Sequence, residues 1–172
     1  IQTKAFKEIK KCIDSTECLK QYNINYKIIP ASSFSAKTNL VGESDIDFVI
    51  LVKNIDRNKV ICISNALGRC NYIFNDLRNI NNEKTIHWVF QKYINNIEIE
   101  CKVRDMDGFK EFVKMHNYLD NKMPKKDKII TTYIKYYFKK NNKKAYSNFK
   151  MFYYCTGGYH GNSKELLYPL IN

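Results

Sequence analysis

Asp45 and Asp47 stand two residues apart in the run Gly42-Glu43-Ser44-Asp45-Ile46-Asp47-Phe48-Val49-Ile50-Leu51-Val52. Alternate side chains of a strand leave on one face. The two carboxylates can therefore converge on a hard cation that prefers oxygen ligands, such as Mg²⁺ or Mn²⁺. The apolar run from Phe48 to Val52 would anchor them in a core. A lone Asp-x-Asp is a weak signal, because nine Asp in 172 residues give about half such a pair by chance. The chain holds a second one, Asp105-Met106-Asp107. It is followed by Gly108 and then by Phe109, Phe112, Val113, His116 and Leu119 at helical spacing, the pattern of a turn capping a helix.

Two-metal phosphoryl or nucleotidyl transfer needs several carboxylates around cations about 4 Å apart. Ile97, Ile99, Cys101 and Val103 alternate with Glu98, Glu100 and Lys102. One face of that strand reads as core, and the other offers Glu98 or Glu100 as a third acid. The same alternation also describes an edge strand whose outer face is simply solvated. Upstream, Ser32 and Ser33 end another short strand. Backbone N–H and hydroxyl groups in such a turn can receive a triphosphate, although serines more commonly make turns or cap helices.

The elements that must hold these residues follow from periodicity. Ile1, Ala5, Ile9, Cys12 and Ile13 predict an amphipathic helix to about Lys20. Tyr26 to Ala31 and Asp45 to Lys53 read as strands. Val60, Ile63, Leu67, Cys70, Phe74 and Leu77 form one stripe, which predicts a long helix ending near Asn79. Thr85 to Ile94 and Ile97 to Arg104 read as a hairpin closed by Asn95-Asn96, a dipeptide that accepts positive φ. Helices are expected near Gly108 to Leu119, Lys128 to Lys140 and Ala145 to Cys155.

The stretch Ser32-Ser33-Phe34-Ser35-Ala36-Lys37-Thr38-Asn39-Leu40-Val41-Gly42-Glu43-Ser44-Asp45-Ile46-Asp47 resembles the signature of the DNA polymerase β-like nucleotidyltransferase superfamily. Thr38, Leu40, Gly42, Ser44, Asp45 and Asp47 bring it nearest to the oligoadenylate synthetase and cyclic-oligonucleotide synthase type. The resemblance implies an α+β fold, a nucleotidyltransferase-like mixed β-sheet packed with helices and followed by a basic C-terminal helical segment. The core would span residues 1–104 and the extension 105–172. It implies Asp45 and Asp47 as catalytic metal ligands. Asn96-Ile97-Glu98-Ile99-Glu100 resembles the third-acid motif and favours Glu100. Ser32, Ser33, Lys37 and Ser44 fall in the substrate-binding stretch, and Lys135 or Lys150 would supply the lysine that a later helix gives to the triphosphate. Two departures stand out: Ser32 replaces the family's Gly, and Glu100 replaces the commoner Asp.

The cofactor implied is Mg²⁺ or Mn²⁺, the substrate an NTP, and the reaction transfer of a nucleoside monophosphate to an acceptor hydroxyl. Charge bears on the acceptor. The formal net charge is +12, and residues 122–150 hold ten Lys against one acid, Asp127, interleaved with Tyr133, Tyr136, Tyr137, Phe138, Tyr146 and Phe149. Such a surface suits RNA through counterion release and base stacking. Only four of the 29 basic residues are Arg, and Lys, Asn, Ile and Tyr are abundant, a bias that an AT-rich genome also produces. The alternatives are a small-molecule or protein acceptor, or a catalytically silent nucleic-acid-binding domain.

No stretch nears the roughly 20 apolar residues of a membrane span, and no signal pattern opens the chain. A soluble intracellular protein, cytoplasmic or nuclear, is expected, with no membrane partner. Ile1 in place of an initiator Met reads as a processed or internal start, and the chain is short beside the synthases it resembles. Cys12, Cys18, Cys62, Cys70, Cys101 and Cys155 lack any Cys-x-x-Cys pair and read as reduced core cysteines. His87, His116 and His160 are too dispersed for a histidine metal site.

Overall fold

A computed structural model of the chain describes residues 1–31, 45–79, 86–109, 125–142 and 144. The described residues from 1 to 109 form one compact unit. Its helices are α1 (Gln2–Asp14), α2 (Glu17–Gln21) and α3 (Arg57–Arg69). Its strands are β1 (Tyr26–Ala31), β2 (Ile46–Val52), β3 (Ile73–Asn79), β4 (Ile86–Ile94) and β5 (Ile97–Asp105). They make a single mixed sheet in the order β1-β2-β5-β4-β3, with β2 parallel to β5 and every other pair antiparallel. This is the α+β, mixed-sheet architecture expected.

The helices cover one face. Ala5, Ile9 and Ile13 of α1 are buried, as are Val60, Cys62, Ile63, Ala66 and Leu67 of α3. On the sheet side, Phe48 of β2 meets Phe6 of α1 with ring centroids 6.1 Å apart. Ile46, Ile50 and Val52 share that face with Ile99, Cys101 and Val103 of β5, and all are buried. Each of the Phe, Ile and Val side chains among them removes enough apolar surface from water to stabilise the unit by about 1.5–3 kcal/mol. Lys92 of β4 ties the layers together, its ammonium 2.8 Å from Glu8 of α1 and 2.9 Å from the Cys70 carbonyl oxygen.

Local chemistry sets the boundaries. Asp56 caps α3 by accepting from the Lys59 amide at 2.8 Å, which satisfies an orphan donor of the first turn. Asn95 and Asn96 both sit at positive φ, 52° and 63°, so β4 and β5 form the hairpin expected of that dipeptide. Pro30 lies in β1, an edge strand, where its missing N–H costs no ladder bond. The Asp105 carboxylate accepts from the amides of Ile55, Asp107 and Gly108. The second Asp-x-Asp is therefore a turn, leading into a short 3₁₀ helix at Asp107–Phe109.

Three expectations are corrected. The opening helix breaks at Ser15 and Thr16, where both hydroxyls donate back to the Cys12 carbonyl oxygen. The long helix from Val60 ends at Arg69: Asn71 takes φ 65°, and residues 73–79 become β3, paired antiparallel with β4. Phe74 and Leu77 continued the helical stripe by coincidence, and on the edge strand they are 52% and 54% exposed. Finally, four cysteines are not reduced. Cys12 is bonded to Cys70 and Cys18 to Cys62, which staples α1 and α2 to α3; Cys101 is free and buried.

The helix α4 (Lys125–Asn141) is described by itself. No helix among the described residues is long and apolar enough to cross a membrane. The helices expected near Gly108 to Leu119 and Ala145 to Cys155 lie outside the described residues.

Candidate functional site

The second face of the sheet carries the chemistry. Parallel pairing sets Asp47 directly beside Glu100, as it sets Ile46 beside Ile99. The same register brings Asp45, at the entrance to β2, and Glu98, at the start of β5, to one end of the same face. Four carboxylates thus gather at the adjoining ends of two central strands, although the chain as a whole is strongly cationic. Asp45 is exposed, whereas Asp47, Glu98 and Glu100 are partly buried.

Lys102 closes the pair. Its ammonium lies 2.6 Å from Glu100 Oε1 and 3.4 Å from Asp47 Oδ1, with all three side chains at least four-fifths buried. From the edge strand, Arg78 reaches to 4.0 Å of Glu100 Oε2 while its Nε donates to Asp76 at 2.9 Å. No cation among the described residues pairs with Glu98 in this way. Burial first, then the charges of Asp45, Glu100 and Asp47, push its carboxyl above the ordinary range, although the Tyr93 hydroxyl donates to it at 3.3 Å and partly offsets this. The charge of Glu98 in turn raises the Tyr93 phenol.

Oxygen-rich carboxylates already arranged around a cation fit a divalent metal by donor chemistry. Among the described residues, however, no three His, Cys, Asp or Glu side chains are gathered closely enough to hold one. The ammonium of Lys102 occupies the space between Asp47 and Glu100 instead. Periodicity located Asp45, Asp47, Glu98 and Glu100, but Lys102 read as part of a solvated face and Arg78 as part of a helix. The signal for Lys102 was the alternation Glu98, Glu100, Lys102, which acquires a partner only through the register with β2; Arg78 left none.

Ser32, Ser33, Lys37, Ser44 and Lys150 lie outside the described residues. Lys135 falls within α4. That helix exposes Tyr133, Tyr136 and Tyr137 beside exposed Lys125, Lys126 and Lys140, and the Lys140 ammonium lies 4.3 Å from the Tyr136 ring centroid. Cationic heads over amphipathic rings are a surface on which bases can stack.

A cleft of about 740 Å³ opens elsewhere on the same unit, lined by Thr16, Ser64, Arg69, Tyr72, Phe74 and Phe90 among others. None of the four carboxylates lines it.

No family model matches the chain, and no curated protein sequence does. Among solved structures the chain is similar to terminal uridylyl transferase 4 from Trypanosoma brucei with bound CTP, at 12% identity and a TM-score of 0.44. It is also similar to the polymerase core of TRAMP, an RNA surveillance complex, at 15% identity and a TM-score of 0.46. The matches cover 69% and 80% of this chain but only 38% and 41% of those. The chain thus spans about two-fifths of the structures it matches.

Proposed function

We propose that the chain is a metal-dependent nucleotidyltransferase that moves a nucleoside monophosphate from an NTP to an acceptor hydroxyl, an RNA 3′ end or an oligonucleotide. The observation that carries this reading is the pairing of Asp47, from the Ser44-Asp45-Ile46-Asp47 run, with Glu100 on the neighbouring parallel strand. Two carboxylates from separate elements are fixed side by side at the ends of β2 and β5, with Asp45 at the same end.

Asp45, Asp47 and Glu100 would hold Mg²⁺ or Mn²⁺. Such an ion, when bound, polarises phosphoryl oxygens and lowers the pKa of a coordinated hydroxyl. Glu100 orients the acceptor hydroxyl and draws on its proton as the oxygen closes on the α-phosphorus. The bond to the bridging oxygen breaks, and pyrophosphate leaves with its electrons. Ser32 and Ser33 supply donors to the triphosphate, with Lys37 and Ser44 in the same stretch; Lys135 or Lys150 adds a point charge. The exposed tyrosines and lysines of α4 favour a polyanionic acceptor.

The chemistry is tested by incubating the protein with each labelled NTP and Mg²⁺ or Mn²⁺, with and without RNA. Extended, cyclic or adducted products are expected, lost to background in Asp45→Asn and Asp47→Asn while the circular dichroism spectrum is unchanged. Undiminished transfer by both variants would exclude these carboxylates from the reaction. Transfer insensitive to ionic strength would exclude a polyanionic acceptor.

A further inference from the structure

We propose that Lys102 is the resident cation of the Asp47–Glu100 pair, and that a divalent ion binds there only by displacing its ammonium. The inference rests on the metal reading above and goes beyond it, because it assigns a role to a residue that neither the Asp-x-Asp pattern nor the third-acid pattern contains.

Parallel register forces Asp47 and Glu100 into adjacency, whatever else the site holds. Two carboxylates that close, mostly withdrawn from water, repel one another and lose hydration. The fold offsets this internally: Lys102, two residues beyond Glu100 on the same face of β5, turns back between them. The 2.6 Å contact with Glu100 is charge-assisted and short, whereas the 3.4 Å contact with Asp47 is loose. A lysine can do this because its ammonium is a compact charge on four rotatable methylenes, which can also swing away.

The oxygens that meet the ammonium are those a divalent ion would need. Glu100 is engaged on both sides, by Lys102 at Oε1 and by Arg78 near Oε2. Binding therefore exchanges a held +1 for an incoming +2, rather than filling a prepared cage. This accounts for a donor set of the right chemistry in which, among the described residues, no three ligands are gathered. It follows that metal affinity is low while Lys102 is in place and rises when the ammonium is removed. Asp45 and Glu98, which lack that contact, contribute to the attraction of the ion throughout.

The test is Mn²⁺ alone, titrated into the protein and followed by the loss of the free-ion electron paramagnetic resonance signal, with no nucleotide and no turnover. The variants are Lys102→Met, which removes the charge and keeps much of the stem, and Lys102→Gln, which also keeps a polar end in case the apolar one disturbs folding. Asp47→Asn serves as the ligand control. Without metal, both Lys102 variants should melt below the unchanged protein; Mn²⁺ should raise their Tm more than it raises that of the parent. Their Mn²⁺ Kd should be at least about tenfold tighter, a difference of about 1.4 kcal/mol, and Asp47→Asn should abolish the gain. Equal Mn²⁺ affinity in parent and Lys102 variants overturns the displacement and leaves the metal reading standing. Absence of binding in all of them overturns the metal reading itself.

Discussion

Removing the two disulfides should cost most of the stability of the 1–109 unit, and the way the losses combine is specific to their arrangement. Cys12–Cys70 closes 58 residues and Cys18–Cys62 closes 44, the second loop lying inside the first. On loop-closure entropy each bridge alone is worth about 4 kcal/mol. With the inner bridge formed, the outer one closes a ring of only about 16 residues, from 12 to 18 and 62 to 70, and adds about 3 kcal/mol. The pair therefore contributes about 7 kcal/mol, against a whole-domain stability of roughly 5–15 kcal/mol.

Cys12→Ala/Cys70→Ala and Cys18→Ala/Cys62→Ala should each lose about 3 kcal/mol, since the remaining bridge still constrains the unfolded chain. The quadruple variant should lose more than their sum. Urea unfolding of the four proteins measures this, with m-values as a check on the denatured state. In melting, reduction should lower Tm by roughly 30 °C. Thiol titration in denaturant without reductant should find at most two reactive cysteines of the six in the chain, Cys101 being free. Six titrating thiols, or a Tm indifferent to reductant, would refute the reasoning.

Three further outcomes follow from local geometry. Replacing Asn96, at φ 63°, with Gly should be neutral to slightly stabilising, whereas Val should destabilise by about 1–2 kcal/mol because a β-branched side chain resists that region; thermal melts distinguish the two. Phe48→Ala, at a fully buried ring packed on Phe6, should cost about 3–5 kcal/mol in urea unfolding. Asp14 is held below its ordinary range by hydrogen bonds first from Lys10 and then from Tyr26. Its contribution is therefore present above the unfolded carboxylate pKa and lost as pH falls through the lower folded value. For a half-exposed pair it should stay below about 1 kcal/mol. Asp14→Asn should lower Tm at neutral pH and match the parent near pH 2; an equal deficit at both would assign the effect to packing.

Much of the fold was legible because periodicity and turn chemistry act locally. Tyr26 to Ala31, the strand after Asp45 and the Asn95-Asn96 hairpin all emerge at or within a residue or so of their expected bounds, and Asp105 takes the turn role its context implied. β3 was not legible. Phe74 and Leu77 fall at helical intervals from Leu67 and Cys70, and only the left-handed turn at Asn71 and pairing with β4 decide against the helix. A stripe of apolar residues cannot reveal which of two structures will bury it, and on the edge strand these two remain half-exposed.

The same division runs through the candidate site. Residue types and spacing by themselves determined the acids, Asp45 and Asp47 on one strand and Glu98 and Glu100 on another, because a strand's two-residue period sends them to one face. Which acid meets which was settled by the parallel register that puts Asp47 beside Glu100. That register also turns Lys102 from a solvated strand residue into the cation between them. Cys12 with Cys70 and Cys18 with Cys62 belong to the same class of fact, since pairing across 58 and 44 residues depends on how α1, α2 and α3 dock. Local propensity operates over a few residues, whereas charge neutralisation and covalent cross-linking depend on distances that exist only once the sheet and its helices have assembled.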